Sequence, residues 1–186
     1  MTENPEHLNI QAIELAAQGD FPEALACLRR AIALEKENYL LWFNMGITYR
    51  DSGDLESAKR AFKQANTINP EDEEVLETLG LTYFSLGAID KAFAICEDCL
   101  ELNPYNAQIW NTIGVMNFTH ENYEEAAASF EKAVSIDPHY FDALYNLRDT
   151  YEELGNEEAA KECDDKLKMI KMPGYFYACY SKRYSH

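Results

Sequence analysis

The chain has 186 residues, enough for one ordinary domain or an array of smaller units, and 47% are hydrophobic with only 8 Gly and 6 Pro, which excludes a disordered or collagen-like polymer. Against 33 Asp and Glu stand 16 Lys and Arg, a formal net charge of −17. Phosphate backbones and anionic lipid repel such a chain, so nucleic acid and membrane surfaces are excluded as natural partners, although the acid also serves solubility alone.

The first ten residues, MTENPEHLNI, have neither the basic nor the apolar stretch of a secretory leader. No apolar run approaches the roughly 20 residues that span a bilayer, and the expected location is the cytoplasm. Five cysteines, an odd number spread through the chain, do not read as a disulfide framework. The Asn117-Phe118-Thr119 sequon is accordingly read as chance.

In chain order, residues 1–4 are a lead, and units that begin every 34 residues follow at 5–38, 39–72, 73–106, 107–140 and 141–172. With Gln11, Asn117 and Arg148 as exceptions, the units place large and small apolar residues at positions 4, 7, 8 and 11, the i, i+3, i+4, i+7 face of a first helix. The first unit has Leu8, Gln11, Ala12 and Leu15, a turn at Gly19, then a second helix with Ala24, Leu28 and Ala31. The second has Trp42, Met45, Gly46 and Tyr49, Gly53, then Ala58, Phe62 and Ala65, with Pro70 as the stop. The third has Leu76, Leu79, Gly80 and Tyr83, Gly87, then Ala92, Cys96 and Cys99, ending at Pro104. The fourth has Trp110, Ile113, Gly114 and Asn117, with Glu121 in the place of the turn glycine, then Ala126, Phe130 and Ala133, ending at Pro138. The fifth has Leu144, Leu147, Arg148 and Tyr151, Gly155, then Ala160, Asp164 and Leu167. Small residues at positions 8, 20 and 27 let the two helices approach closely, with Gly80 and Gly114 expected at the tightest points and Glu73 expected to be exposed.

Two cysteines three apart, Cys96 and Cys99, suggest a metal or redox pair, but they occupy places that hold Leu, Phe or Ala in the other units. They are expected in the core as small hydrophobes, without zinc, since two further ligands are not in register. The four histidines fall at the terminus or in turns. No G-x-S-x-G, phosphate-cradling glycine loop or H-E-x-x-H is present, so the expectation is no enzyme, no catalytic residue, no metal and no cofactor.

The second unit, with Trp42, Gly46, Tyr49, Gly53, Ala58, Phe62, Ala65 and Pro70 in register, resembles the tetratricopeptide repeat family, and the resemblance extends over residues 5–172. It implies an all-α, right-handed superhelical solenoid of five 34-residue helix-turn-helix hairpins. Gln11 and Lys36 in the first unit and Arg148 and Asp164 in the last depart from the pattern in the way that polar terminal units require.

The resemblance further implies that first helices line a concave groove with positions 2, 5, 6, 9, 12 and 13. Those positions supply Asn9, Phe43, Asn44, Ile47, Glu74, Glu77, Thr78, Leu81, Phe84, Gln108, Asn111, Thr112, Val115, Phe118, Tyr145 and Asn146. Phe43, Phe84 and Phe118 are expected to stand open to solvent, and Asn and Thr at position 6 to offer hydrogen bonds to an extended backbone. Family members that clamp a carboxylate terminus use Lys, Asn and Arg; of the corresponding places in the first three units only Asn44 matches, and no frame supplies the basic residues. With Arg50 as its main cation the groove is acidic and apolar, suited to a protein segment that is neutral to basic and partly apolar.

The reading is therefore a non-catalytic protein-binding scaffold or adaptor, monomeric or weakly dimeric. Its alternative is a dedicated chaperone for a secreted substrate. Charged outer positions such as Lys63, Glu97 and Glu131 argue against an obligate subunit of a larger machine. Residues 173–186, PGYFYACYSKRYSH, lack acid and carry Tyr175, Phe176, Tyr177, Tyr180, Lys182 and Arg183; the alternatives for them are to cap the last hairpin, to plug the groove of their own or a neighbouring molecule, or to stay disordered.

Overall fold

A computed structural model of the chain describes residues 4–170. Among them are ten α-helices and no strand: α1 (Pro5–Ala17), α2 (Phe21–Leu34), α3 (Tyr39–Asp51), α4 (Leu55–Ile68), α5 (Glu73–Ser85), α6 (Ile89–Leu102), α7 (Ala107–Thr119), α8 (Tyr123–Ile136), α9 (Phe141–Glu153) and α10 (Glu157–Met169). Odd helices begin at intervals of 34 residues.

Each first helix stops in the same manner. In the first hairpin the Asp20 amide donates to the Leu15 carbonyl at 2.9 Å, and the same six-residue closure recurs from Asp54 to Tyr49, Ala88 to Tyr83, Asn122 to Asn117 and Asn156 to Tyr151. This closure requires a left-handed residue inside it. Gly19, Gly53, Gly87 and Gly155 supply φ between 70° and 87°, and Glu121 adopts φ 61° in the fourth hairpin, where a side chain is accommodated at a backbone cost. In the second and fifth hairpins the next residue also caps the second helix, Asp54 accepting from the Ser57 amide at 3.0 Å and Asn156 from the Ala159 amide at 3.2 Å, whereas Ala88 and Asn122 make no such bond.

Consecutive helices thus form antiparallel hairpins, and each second helix packs on the following first helix. The core runs between the two layers. Phe62, Phe130, Leu28, Leu79 and Leu144 are fully buried there, worth about 2–3 kcal/mol each.

Gly46 and Gly114 allow this packing, because a Cβ on either would lie 2.4 or 2.5 Å from the ring of Phe62 or Phe130. Gly80, expected among the tightest points, is looser: its Cβ would meet the Cys96 sulfur at 3.3 Å, since Cys96 fills less space than the Phe at this place in its neighbours. In the last hairpin the same two places hold Arg148 and Asp164, whose Nη1 and Oδ1 lie 3.4 Å apart, so an ion pair replaces apolar contact.

The units are joined by repeated contacts. The indole N–H of Trp42 donates to the Lys36 carbonyl at 2.9 Å, and that of Trp110 to the Pro104 carbonyl at 3.0 Å. Of the joints between units, α6–α7 packs least closely. There Glu73 Oε2 accepts from Asn103 Nδ2 at 2.9 Å and Asn106 Nδ2 at 3.2 Å. Glu73, expected to be exposed, is half-buried because it bonds both amides.

Candidate functional site

Odd helices touch one another directly, α1 with α3, α5 with α7 and α7 with α9, whereas even helices have no comparable mutual contact. The odd layer is therefore the inside of the curve, and its outward-facing residues line the concavity. Along its floor Ile13 is 51% and Leu81 40% exposed, with Ile47 and Val115 half-buried between and beyond them.

The groove's aromatic residues lie deeper than expected. Phe43 is 8% exposed and belongs to the core, its ring 5.6 Å from that of Phe62. Phe84 is half-buried against the same central core. Phe118 is half-buried edge-to-face on Tyr123, with ring centroids 5.3 Å apart. A large ring at these positions gains more from the neighbouring second helix than from water, so all three are structural before they are recognition residues. Tyr145 is half-buried beneath the Arg148 guanidinium, 4.1 Å from its ring centroid.

Position 6 also departs from a uniform ladder. Thr78 and Thr112 are buried, and the Thr112 hydroxyl donates back to the Gln108 carbonyl at 3.0 Å, so neither faces a ligand. Asn44 and Asn146 are half-buried and bond laterally instead: Asn44 Nδ2 donates to Asn9 Oδ1 at 2.8 Å, and Asn146 Nδ2 to Asn111 Oδ1 at 3.0 Å. Each pair bridges position 5 of one unit and position 6 of the next. The two pairs leave further amide donors and acceptors at both ends of the groove. The signal for these pairs was an Asn followed by another 35 residues later, a spacing that a search within single units passes over.

Glu74 and Gln108 are exposed and Glu77 is half-buried. Burial, followed by the neighbouring Glu74 and Glu73, raises the Glu77 carboxyl above its ordinary pKa. Arg50, expected to be the groove's main cation, is held by Asp51 at 3.0 Å. Arg148 is likewise engaged by Asp149 and Asp164. Negative charge on this face is thus largely uncompensated.

Cys96 and Cys99 lie beneath the groove, fully buried, and burial pushes their thiols up to about 12 and about 11. They are protonated core residues at neutral pH. Among the described residues no group of three or more metal-ligating side chains comes together, and no helix is long and apolar enough to cross a membrane. Tyr175, Phe176, Tyr177 and Tyr180 lie outside the described residues.

Fold and groove define an all-α solenoid of repeated helical hairpins. Models of the tetratricopeptide repeat match residues 15–81, 73–106 and 118–169, and the chain belongs to that family. No curated protein matches it. Among solved structures it is similar to MamA, at 21% identity and a TM-score of 0.76 over 86% of this chain and 94% of that one. A MamA structure from Desulfovibrio magneticus RS-1 gives 19% identity and a TM-score of 0.78, over 92% and 97%. YrrB, described as a tetratricopeptide protein with an unusual peptide-binding site, gives 24% and 0.67, over 88% and 84%. At these identities the likeness concerns the fold.

Proposed function

We propose that the protein is a non-catalytic scaffold that holds a segment of a partner protein, neutral to basic and partly apolar, in its concave groove. The observation that carries this reading is the exposed Leu81 on the same helix as the poorly compensated carboxylates Glu74 and Glu77, with Ile13 exposed at the same position two units earlier. Burying such aliphatic surface favours association by about 25 cal/mol per Å², and a Lys or Arg nearby would meet the acid. The amide pairs Asn9–Asn44 and Asn111–Asn146 would accept the backbone of an extended segment without selecting its side chains. The peptide-binding site named for YrrB supports the same use of the fold.

The test is affinity capture from the source cell with the wild-type chain and with Leu81→Ser, whose side chain is 40% exposed and whose folded state is verified by circular dichroism at the capture temperature. Partners held by the wild type and lost by the variant support the groove, and equal capture by both rules it out. Several unrelated partners are the expected outcome for a scaffold. One secreted client would indicate a dedicated chaperone instead.

A further inference from the structure

The end of the array is closed by charge. On α8 the residues that meet the next unit include Ala127, Phe130 and Val134; 34 residues later, on α10, the same places hold Lys161, Asp164 and Lys168. Asp164 is paired to Arg148, and Lys168 Nζ lies 2.9 Å from Asp165. Met169 is the one large hydrophobic side chain exposed on α10. An aromatic segment laid on this face would have to strip water from several charges for little apolar gain.

The concave surface of α5, α7 and α9 offers the opposite chemistry. Leu81 is exposed, Val115 and Tyr145 are half-buried, and Glu74, Asp142 and Glu152 are exposed carboxylates. Because α10 runs antiparallel to α9, the chain leaves Ile170 beside the first turn of α9, the end that carries Asp142. Residues 171–186 contain no acid, three cations in Lys171, Lys182 and Arg183, and five aromatic residues. Extended, sixteen residues reach about 53 Å. The distance from α9 to α5 is two inter-unit steps of roughly 10 Å each.

We propose that the C-terminal segment 171–186 is itself a ligand of the concave surface of α5, α7 and α9, and competes there with an external partner. This rests on the groove being a segment-binding site. It specifies the chemistry that site selects: a basic, tyrosine-rich strand without acid.

The test uses the full chain with a nitroxide attached at Cys179. The other four cysteines are buried, which directs labelling to this one. Broadening of the amide signals of Leu81, Val115 and Tyr145, unchanged on tenfold dilution and lost in Lys182→Glu/Arg183→Glu, is the expected result. The same double variant should bind an external partner about tenfold more tightly if the segment occupies its seat nine-tenths of the time.

Broadening at Lys161, Asp165 and Lys168 would make the segment a cap and overturn the proposal. So would broadening seen only when spin-labelled and isotope-labelled chains are mixed, which would indicate a second copy, or the absence of localised broadening. Capture is therefore also compared with and without Leu81→Ser in the Lys182→Glu/Arg183→Glu background, where the segment no longer competes: loss of partners there upholds the groove whatever the fate of the segment, so failure here is distinguishable from failure of the groove itself.

Discussion

At the waist of each hairpin, one residue of the first helix and one of the second divide a fixed volume. Gly46 yields to Phe62 and Gly114 to Phe130, while Gly80 meets the smaller Cys96. Gly46→Ala or Gly114→Ala drives a methyl into a ring that is itself fully buried, an overpacking that typically costs about 1–3 kcal/mol. Gly80→Ala is expected to be nearly neutral, because the 3.3 Å approach to sulfur is offset by up to about 1 kcal/mol from alanine's helix propensity. Urea midpoints of the three variants check this, and equal losses at Gly46 and Gly80 would contradict it. Cys96 is therefore best understood through the glycine opposite it, not through Cys99.

At the scale of elements, neighbouring units are joined differently along the array. The Trp42 and Trp110 N–H bonds tie two units to the carbonyls before them, and neither depends on charge. The α6–α7 joint, where the Trp110 bond lies, has in addition Glu73, which gathers two asparagine amides. Glu73→Ala leaves both amides without that acceptor in a half-buried setting, at an expected cost of about 1–2 kcal/mol. Native-state hydrogen exchange should then show α7 and the helices after it opening more readily than α1 to α4. Uniform change along the chain would mean that this joint is no weaker than the others.

For the whole molecule, the proposed capture of a cationic segment in the groove would depend on pH. The Glu77 pKa is raised in the folded chain above the ordinary value of about 4.3, so the folded state holds the proton more tightly than the unfolded one. Its contribution to stability is greatest below the unfolded value and is lost as pH rises through the folded value. Glu77→Gln is therefore expected to raise the urea midpoint at pH 7 and to leave it unchanged well below pH 4. Binding of a cation has the opposite dependence, because it favours the ionised carboxylate: affinity for a lysine-bearing segment is full above the raised pKa and falls as pH drops through it. Calorimetric titration across that window should show the dependence flattened in Glu77→Gln.

The fold was legible because a helix hairpin imposes the same demands every 34 residues. Proline stops, turn glycines and small residues at positions 8 and 20 are local requirements, and they survive in the sequence as a period. Depth was not legible. Phe43, Phe84 and Phe118 share their helix positions with polar residues in other units, and only the second helix packed behind each one decides how much of the ring is left for water. The Asn9–Asn44 and Asn111–Asn146 pairs, and the Glu73 bridge to Asn103 and Asn106, depend on side chains from adjacent units meeting across a curved layer. A sequence fixes which groups are available to meet; the curvature of the stacked hairpins decides which of them do.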